Sequence, residues 1–109
     1  MALLPVEKIA CSNDAAFVMD FWISFIDDDG NARFTNNNSG NYPVGQTRVF
    51  DLGQGDPSIP EGSIVWPTVK AVAGNQVDGN KRLRYAKNGQ TATFLVHGTT
   101  LNFSVEISG

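Results

Sequence analysis

Residues 16–27 read A-F-V-M-D-F-W-I-S-F-I-D. Successive side chains of an extended chain point to opposite faces. Phe17, Met19, Phe21, Ile23 and Phe25 therefore share one face, and Val18, Asp20, Trp22, Ser24 and Ile26 the other. An unbroken apolar set at period two marks a strand with one face in a core. No other stretch concentrates so much apolar bulk, so residues 16–27 are read as the central strand of a small β domain.

The strand runs into Asp27-Asp28-Asp29-Gly30-Asn31, whose Asp-Gly step favours a tight hairpin turn. Residues 32–35 are then expected to fold back as a short strand. Upstream, residues 6–12 (V-E-K-I-A-C-S) read as a first strand, closed by the turn cluster Ser12-Asn13-Asp14. Downstream, a polar loop over 36–45 precedes a strand at 46–52. Residues 53–62 hold Pro57, Pro60 and three glycines and form a second loop. The run 63–73 is β-rich, but Pro67 cannot donate to a ladder and marks an edge or a bulge. Strands follow at 81–86 and 91–96, with turns at 74–80, 87–90 and 97–100. Residues 101–107 close the chain, with Leu101, Phe103, Val105 and Ile107 facing in and Asn102, Ser104 and Glu106 facing out. About eight short strands with frequent turn signals and no helical period predict an antiparallel β-sandwich, immunoglobulin-like or jelly-roll-like. A small β-barrel is the alternative. No repeat or linker divides the chain, so residues 1–109 are read as one domain.

Composition limits the partners. The chain has 41% hydrophobic and 17% charged residues and a net charge of −3, which suits a globular domain and offers no general basic field for phosphate backbones. Nucleic acid is therefore excluded as a partner. Lys81-Arg82-Leu83-Arg84 is the one basic cluster. As a strand it sets Arg82 and Arg84 opposite Leu83, and it reads as a solvated face or edge guard. Cys11 is the only cysteine and packs as a small apolar group. Met1-Ala2-Leu3-Leu4-Pro5 has no basic leader and its apolar run stops at Pro5, so the expectation is a cytoplasmic protein or one released without a signal peptide. Residues 1–4 could pack on a neighbouring copy as an arm.

No enzyme is expected. His97 is the only histidine, no motif surrounds it or Cys11, and multi-histidine zinc sites are ruled out. The acidic run 27–29 does not follow the EF-hand pattern and reads as a turn, with calcium left open if Asp51, Asp56 or Asp78 approaches. Neither a metal nor another cofactor is expected. Ligand binding by loops is the favoured function. Asn36, Asn37, Asn38 and Asn41 are planar amides that could pair with vicinal hydroxyls of a sugar, and Tyr42 adds a ring for its apolar face. Residues 77–81 bring Asp78 and Asn80, while Trp22 and Trp66 point away from the core as stacking platforms. The chain is thus read as a lectin-like protein that binds a carbohydrate or glycoconjugate as a homo-oligomer, since shallow sites gain from multivalency.

Two alternatives stand beside it. Val18, Trp22, Ile26, Ile64, Trp66 and Val72 could form the subunit interface of a self-assembling protein. The chain could instead be membrane-active, with Trp and Tyr at the lipid interface. Its acidic charge disfavours anionic lipid, an objection that neutral sphingolipids or sterols escape. A small β-sandwich with polar loops and outward aromatics resembles, in style, several lectin and membrane-binding cytolysin groups. That resemblance carries no residue assignments.

Overall fold

The computed structural model describes residues 3–108. Along the chain the strands are β1 (Leu4–Val6), β2 (Lys8–Asn13), β3 (Met19–Ile26), β4 (Ala32–Phe34), β5 (Thr47–Asp51), β6 (Ile64–Ala71), β7 (Gln76–Asp78), β8 (Leu83–Tyr85), β9 (Thr91–Thr99) and β10 (Asn102–Ile107). One sheet has the order β1-β8-β6-β3-β4, with β7 also pairing β6, and the other has the order β10-β9-β2-β5. The two pack face to face as a β-sandwich.

β3 holds the arrangement together because it alternates as its sequence demands. Met19, Phe21, Ile23 and Phe25 are buried, and the residues between them are half-buried. Antiparallel β6 sets Val69 opposite Phe21 and Val65 opposite Phe25. Aromatic rings then bridge the sheets. Phe21 meets Phe50 of β5 at 6.5 Å between centroids, and Phe17 meets Phe103 of β10 edge-on at 4.9 Å. Truncating a fully buried ring such as Phe21 to Ala would cost about 3–5 kcal/mol.

Several details depart from the sequence expectation: residues 76–78, expected within a turn, form β7, and β9 runs on through Thr99. The sheets are mixed, because β1 runs parallel to β8 and β2 parallel to β9. Residues 6–12 are not one strand: the chain passes from one sheet to the other at Glu7, where the amides of Glu7 and Lys8 both donate to the Gln90 carbonyl. Pro67 lies inside a central strand. It escapes the usual penalty because β8 pairs β6 only at residues 64–65 and β7 only at 68–70, so its missing N–H falls in the gap between them. Its carbonyl there accepts from Gly79 N at 2.8 Å. Of the proposed N-terminal arm, Leu4 belongs to β1, and Met1 and Ala2 lie outside the described residues.

Beyond β4, the free edge of β3 is covered by residues 35–42. The amides of Thr35, Ser39 and Tyr42 donate to the carbonyls of Ile23, Phe21 and Met19. Thr35 Oγ1 and Ser39 Oγ accept from the amides of Ile23 and Phe21. A polar, irregular segment thus satisfies an edge that would otherwise invite strand addition.

Candidate functional site

The strand directions gather four connections at one end of the sandwich: residues 14–18 before β3, 41–46 before β5, 72–75 after β6, and the β9–β10 hairpin. Each presents an apolar side chain to solvent. Leu101 is 72% exposed, Val44 57%, Val72 48% and Val18 40%. Asp14 is the one charged residue in these connections. The opposite end carries Asp27, Asp28, Asp29, Glu61 and Lys87.

These connections are tied to one another. Val72 N donates to Val18 O at 2.9 Å, Asn75 N to Thr100 O at 2.9 Å, and Gly45 N to Asn13 O at 2.7 Å. Asn75 Nδ2 reaches Leu101 O at 2.8 Å. The hub is Asn13, which is fully buried. Its amide nitrogen donates to Phe17 O and Tyr42 O, and its oxygen accepts from Ala15 N. Asn13 gives no sign of this role in the sequence, because an isolated Asn in a Ser-Asn-Asp cluster signals only a turn. Two features shape the end further. Ala73 sits at φ 57°, and Gly98, at φ 125°, leaves no room for a side chain beside the Asn102 carbonyl.

A second feature lies on the outer face of the β3–β6 sheet. Trp22, Ser24, Phe34, Trp66, Thr68 and Asp78 line an open groove of about 360 Å³. The register explains the grouping: Trp22 lies opposite Thr68, Ser24 opposite both Phe34 and Trp66, and Asp78 opposite Thr68. Ser24 and Thr68 hydroxyls are 2.7 Å apart, and Thr68 Oγ1 donates to Asp78 Oδ1 at 2.9 Å. Trp66 is 4% exposed because the Arg82 guanidinium stacks on its ring, 3.4 Å from the centroid. Farther along the face, burial raises the Asp20 carboxyl above its ordinary range, against the pull of its own amide and of Lys70.

The expected site residues separate. Trp22, Trp66 and Asp78 meet in the groove. Tyr42 does not present its ring to a ligand, and that expectation is corrected: it is 1% exposed, with its hydroxyl donating to Cys11 O at 2.7 Å and Arg48 5.0 Å from its ring centre. Pairing with Met19 draws it inward despite its polar neighbours. Asn37 is spent on Gln54 O and Asp56 N, and Asn38 on Gly40 N. Asn36 and Asn41 are exposed on the same segment. Asn80 accepts from Ile107 N and so caps the edge of β10. Of the proposed interface, Trp22, Ile26 and Ile64 are half-buried on the sheet face, whereas Val18 and Val72 belong to the apolar end.

Other chemistry finds little footing. His97 Nε2 lies 3.1 Å from Ser104 Oγ and 3.5 Å from Glu106, on an exposed surface. Both partners use the same ring nitrogen, so the acid cannot orient the imidazole for the hydroxyl as a catalytic triad requires. Cys11 is buried, and burial pushes its thiol well above the ordinary value. Asp27 Oδ1 accepts from the amides of Asp29 and Asn31, which is turn chemistry. Among the described residues no three His, Cys, Asp or Glu side chains converge.

No protein-family model matches the chain, and no curated protein matches it in sequence. Solved structures are similar in fold. Listeriolysin O is 18% identical with a TM-score of 0.55, over 93% of this chain and 22% of that one. The membrane-binding domain of pneumolysin is 13% identical with a TM-score of 0.52, over 94% of this chain and 95% of that one. Pneumolysin described as a sugar-binding protein is 15% identical with a TM-score of 0.52, over 93% of this chain and 22% of that one. The chain thus spans under a quarter of the listeriolysin O chain. At these identities the likeness is one of fold.

Proposed function

We propose that this chain is a non-enzymatic module that binds a membrane surface through the end bearing Val18, Val44, Val72 and Leu101. The observation that carries the reading is that these four exposed apolar side chains sit on four interlinked connections whose one charged residue is Asp14, with the Lys70 ammonium tied to the Ala71 and Gly74 carbonyls at their side. Moving apolar surface out of water is favourable by about 25 cal/mol per Å². Backbone groups cannot enter hydrocarbon unpaired, and here several amides and carbonyls of the end are paired with one another. The irregular backbone still limits the depth, so the side chains reach the headgroup and upper acyl region and the sandwich stays outside. The likeness to the pneumolysin membrane-binding domain, which covers nearly all of both chains, supports this reading over the lectin-like one. A protein released from its cell fits it better than a cytoplasmic one.

The net charge of −3 favours neutral lipid over anionic lipid. Co-sedimentation with phosphatidylcholine vesicles, alone and with sphingomyelin or sterol, tests the reading. The chain pellets with at least one neutral composition, and Leu101→Asp weakens that binding by about tenfold or more. A chain that stays in the supernatant with every composition contradicts the proposal.

A further inference from the structure

We infer that the outer-face groove between Trp22 and Asp78 is a binding site for a neutral saccharide ring, separate from the membrane-facing end. Three observations converge there. The first is an orphaned donor. Trp66 lines the groove, is nine-tenths buried, and its indole Nε1 is the one buried side-chain polar atom among the described residues without a hydrogen-bond partner. A buried donor left unmade is costly; the atom is closed to solvent, so a ligand hydroxyl or ring oxygen satisfies it only where its binding shifts the side chains over the indole edge.

The second is a directed hydrogen-bond chain. Thr68 donates to Asp78, so Ser24 must donate to Thr68. The chain therefore ends on the Asp78 carboxylate, which keeps a second oxygen to accept from ligand hydroxyls. Gln76, also in the lining, offers a donor and an acceptor together. Carboxylate and amide acceptors beside an indole donor match adjacent hydroxyls of a sugar.

The third is the aromatic surface. Arg82 occupies a face of Trp66, so that face is closed to stacking. Trp22 is half-buried, and among the described residues no ring or cation stacks on it. Its ring, with the exposed Phe34 across the groove, suits the apolar face of a pyranose. The same features argue against other ligands. Asp78 and Arg33, opposite charges in the same lining, leave the groove no net charge to hold a phosphate or carboxylate, and the hydroxyl and carboxylate lining disfavours an acyl chain. The ligand class is therefore a neutral, polyhydroxylated ring.

Trp22 and Trp66 are the only tryptophans of the chain, so indole signals report this groove alone. The test is a glycan array followed by proton–nitrogen correlation spectra of the full chain, titrated with D-mannose, D-galactose, D-glucose and N-acetyl-D-glucosamine. The expected result is retention of neutral glycans on the array and a shift of the Trp66 indole resonance with at least one of these sugars. Trp22→Ala and Asp78→Asn, checked for an intact fold by circular dichroism, each weaken the response about tenfold. Leu101→Asp leaves it unchanged, which separates this site from membrane binding. Unmoved indole resonances with all four sugars overturn the inference. So does a response that survives in both groove variants, or retention of anionic glycans only.

Discussion

The guanidinium of Arg82 lies 3.4 Å from the centre of the Trp66 ring, and this contact turns an outward-facing tryptophan into a buried one. A cation over an indole, with the arginine stem laid along the sheet, contributes about 1 kcal/mol. Arg82→Ala is expected to lower stability by about that amount. It should also red-shift tryptophan emission and raise its quenching by acrylamide. Unchanged quenching would mean that Trp66 is covered by something other than Arg82.

How much of this was legible in the sequence varies from residue to residue. Alternation showed the buried face of β3, and Phe103 and Val105 of β10 face in as expected. The same alternation misplaced Leu101, which heads the apparent strand yet lies in the hairpin, because period two does not reveal where pairing stops. The parallel pairs and the crossing at Glu7 were invisible, since pairing between distant segments leaves no turn signal. From sequence Arg82 is simply a solvated cation, because its partner Trp66 stands far away along the chain. The apolar end was hidden for a related reason. Val18, Val44, Val72 and Leu101 are single apolar residues in separate turns, and only strand direction collects them.

Cys11 and Tyr42 are two buried acids joined through the Tyr42 hydroxyl and the Cys11 carbonyl. Burial raises both above their ordinary values of 9.0 and 10.0. The neighbouring Cys11 and Asp20 raise Tyr42 further, while Arg48 opposes. Below about pH 9 both groups are protonated in the folded and unfolded chain, so their contribution is fully present. Above that, the unfolded chain releases its protons first and the folded chain keeps them, so stability falls as pH rises. The slope is about 1.4 kcal/mol per pH unit for each group. Urea unfolding across alkaline pH should show this loss, and Cys11→Ala should delay its onset toward pH 10. A flat profile would contradict the burial of these groups.

Gly98 pairs with Phe103 beneath the hairpin that carries Leu101. A Cβ there would stand 2.5 Å from the Asn102 carbonyl oxygen and 2.7 Å from Phe103 Cα, at a φ of 125°. Gly98→Ala is expected to cost about 2–4 kcal/mol and to weaken vesicle binding by displacing Leu101. Retention of wild-type stability, read from urea unfolding, would show that the hairpin is looser than this geometry.

Asp14 is the one charged residue in the connections of the apolar end, beside which the Lys70 ammonium donates to the carbonyls of Ala71 and Gly74. Asp14→Asn should strengthen binding to vesicles containing phosphatidylserine by about fivefold, corresponding to about 1 kcal/mol for one charge near the surface. The gain should shrink as salt is raised. Equal binding of the two proteins at low salt would place Asp14 away from the membrane.

The orientation on the membrane is the central claim, and the buried Cys11 makes it measurable. Its thiol is inaccessible, so a cysteine introduced at Leu101 or at Asp28 takes a polarity-sensitive dye selectively. With neutral vesicles that bind the chain, the dye at position 101 is expected to shift to the blue and become shielded from aqueous quenchers, while the dye at position 28 stays in water. A shift at position 28, or none at position 101 while the protein is vesicle-bound, would contradict the account.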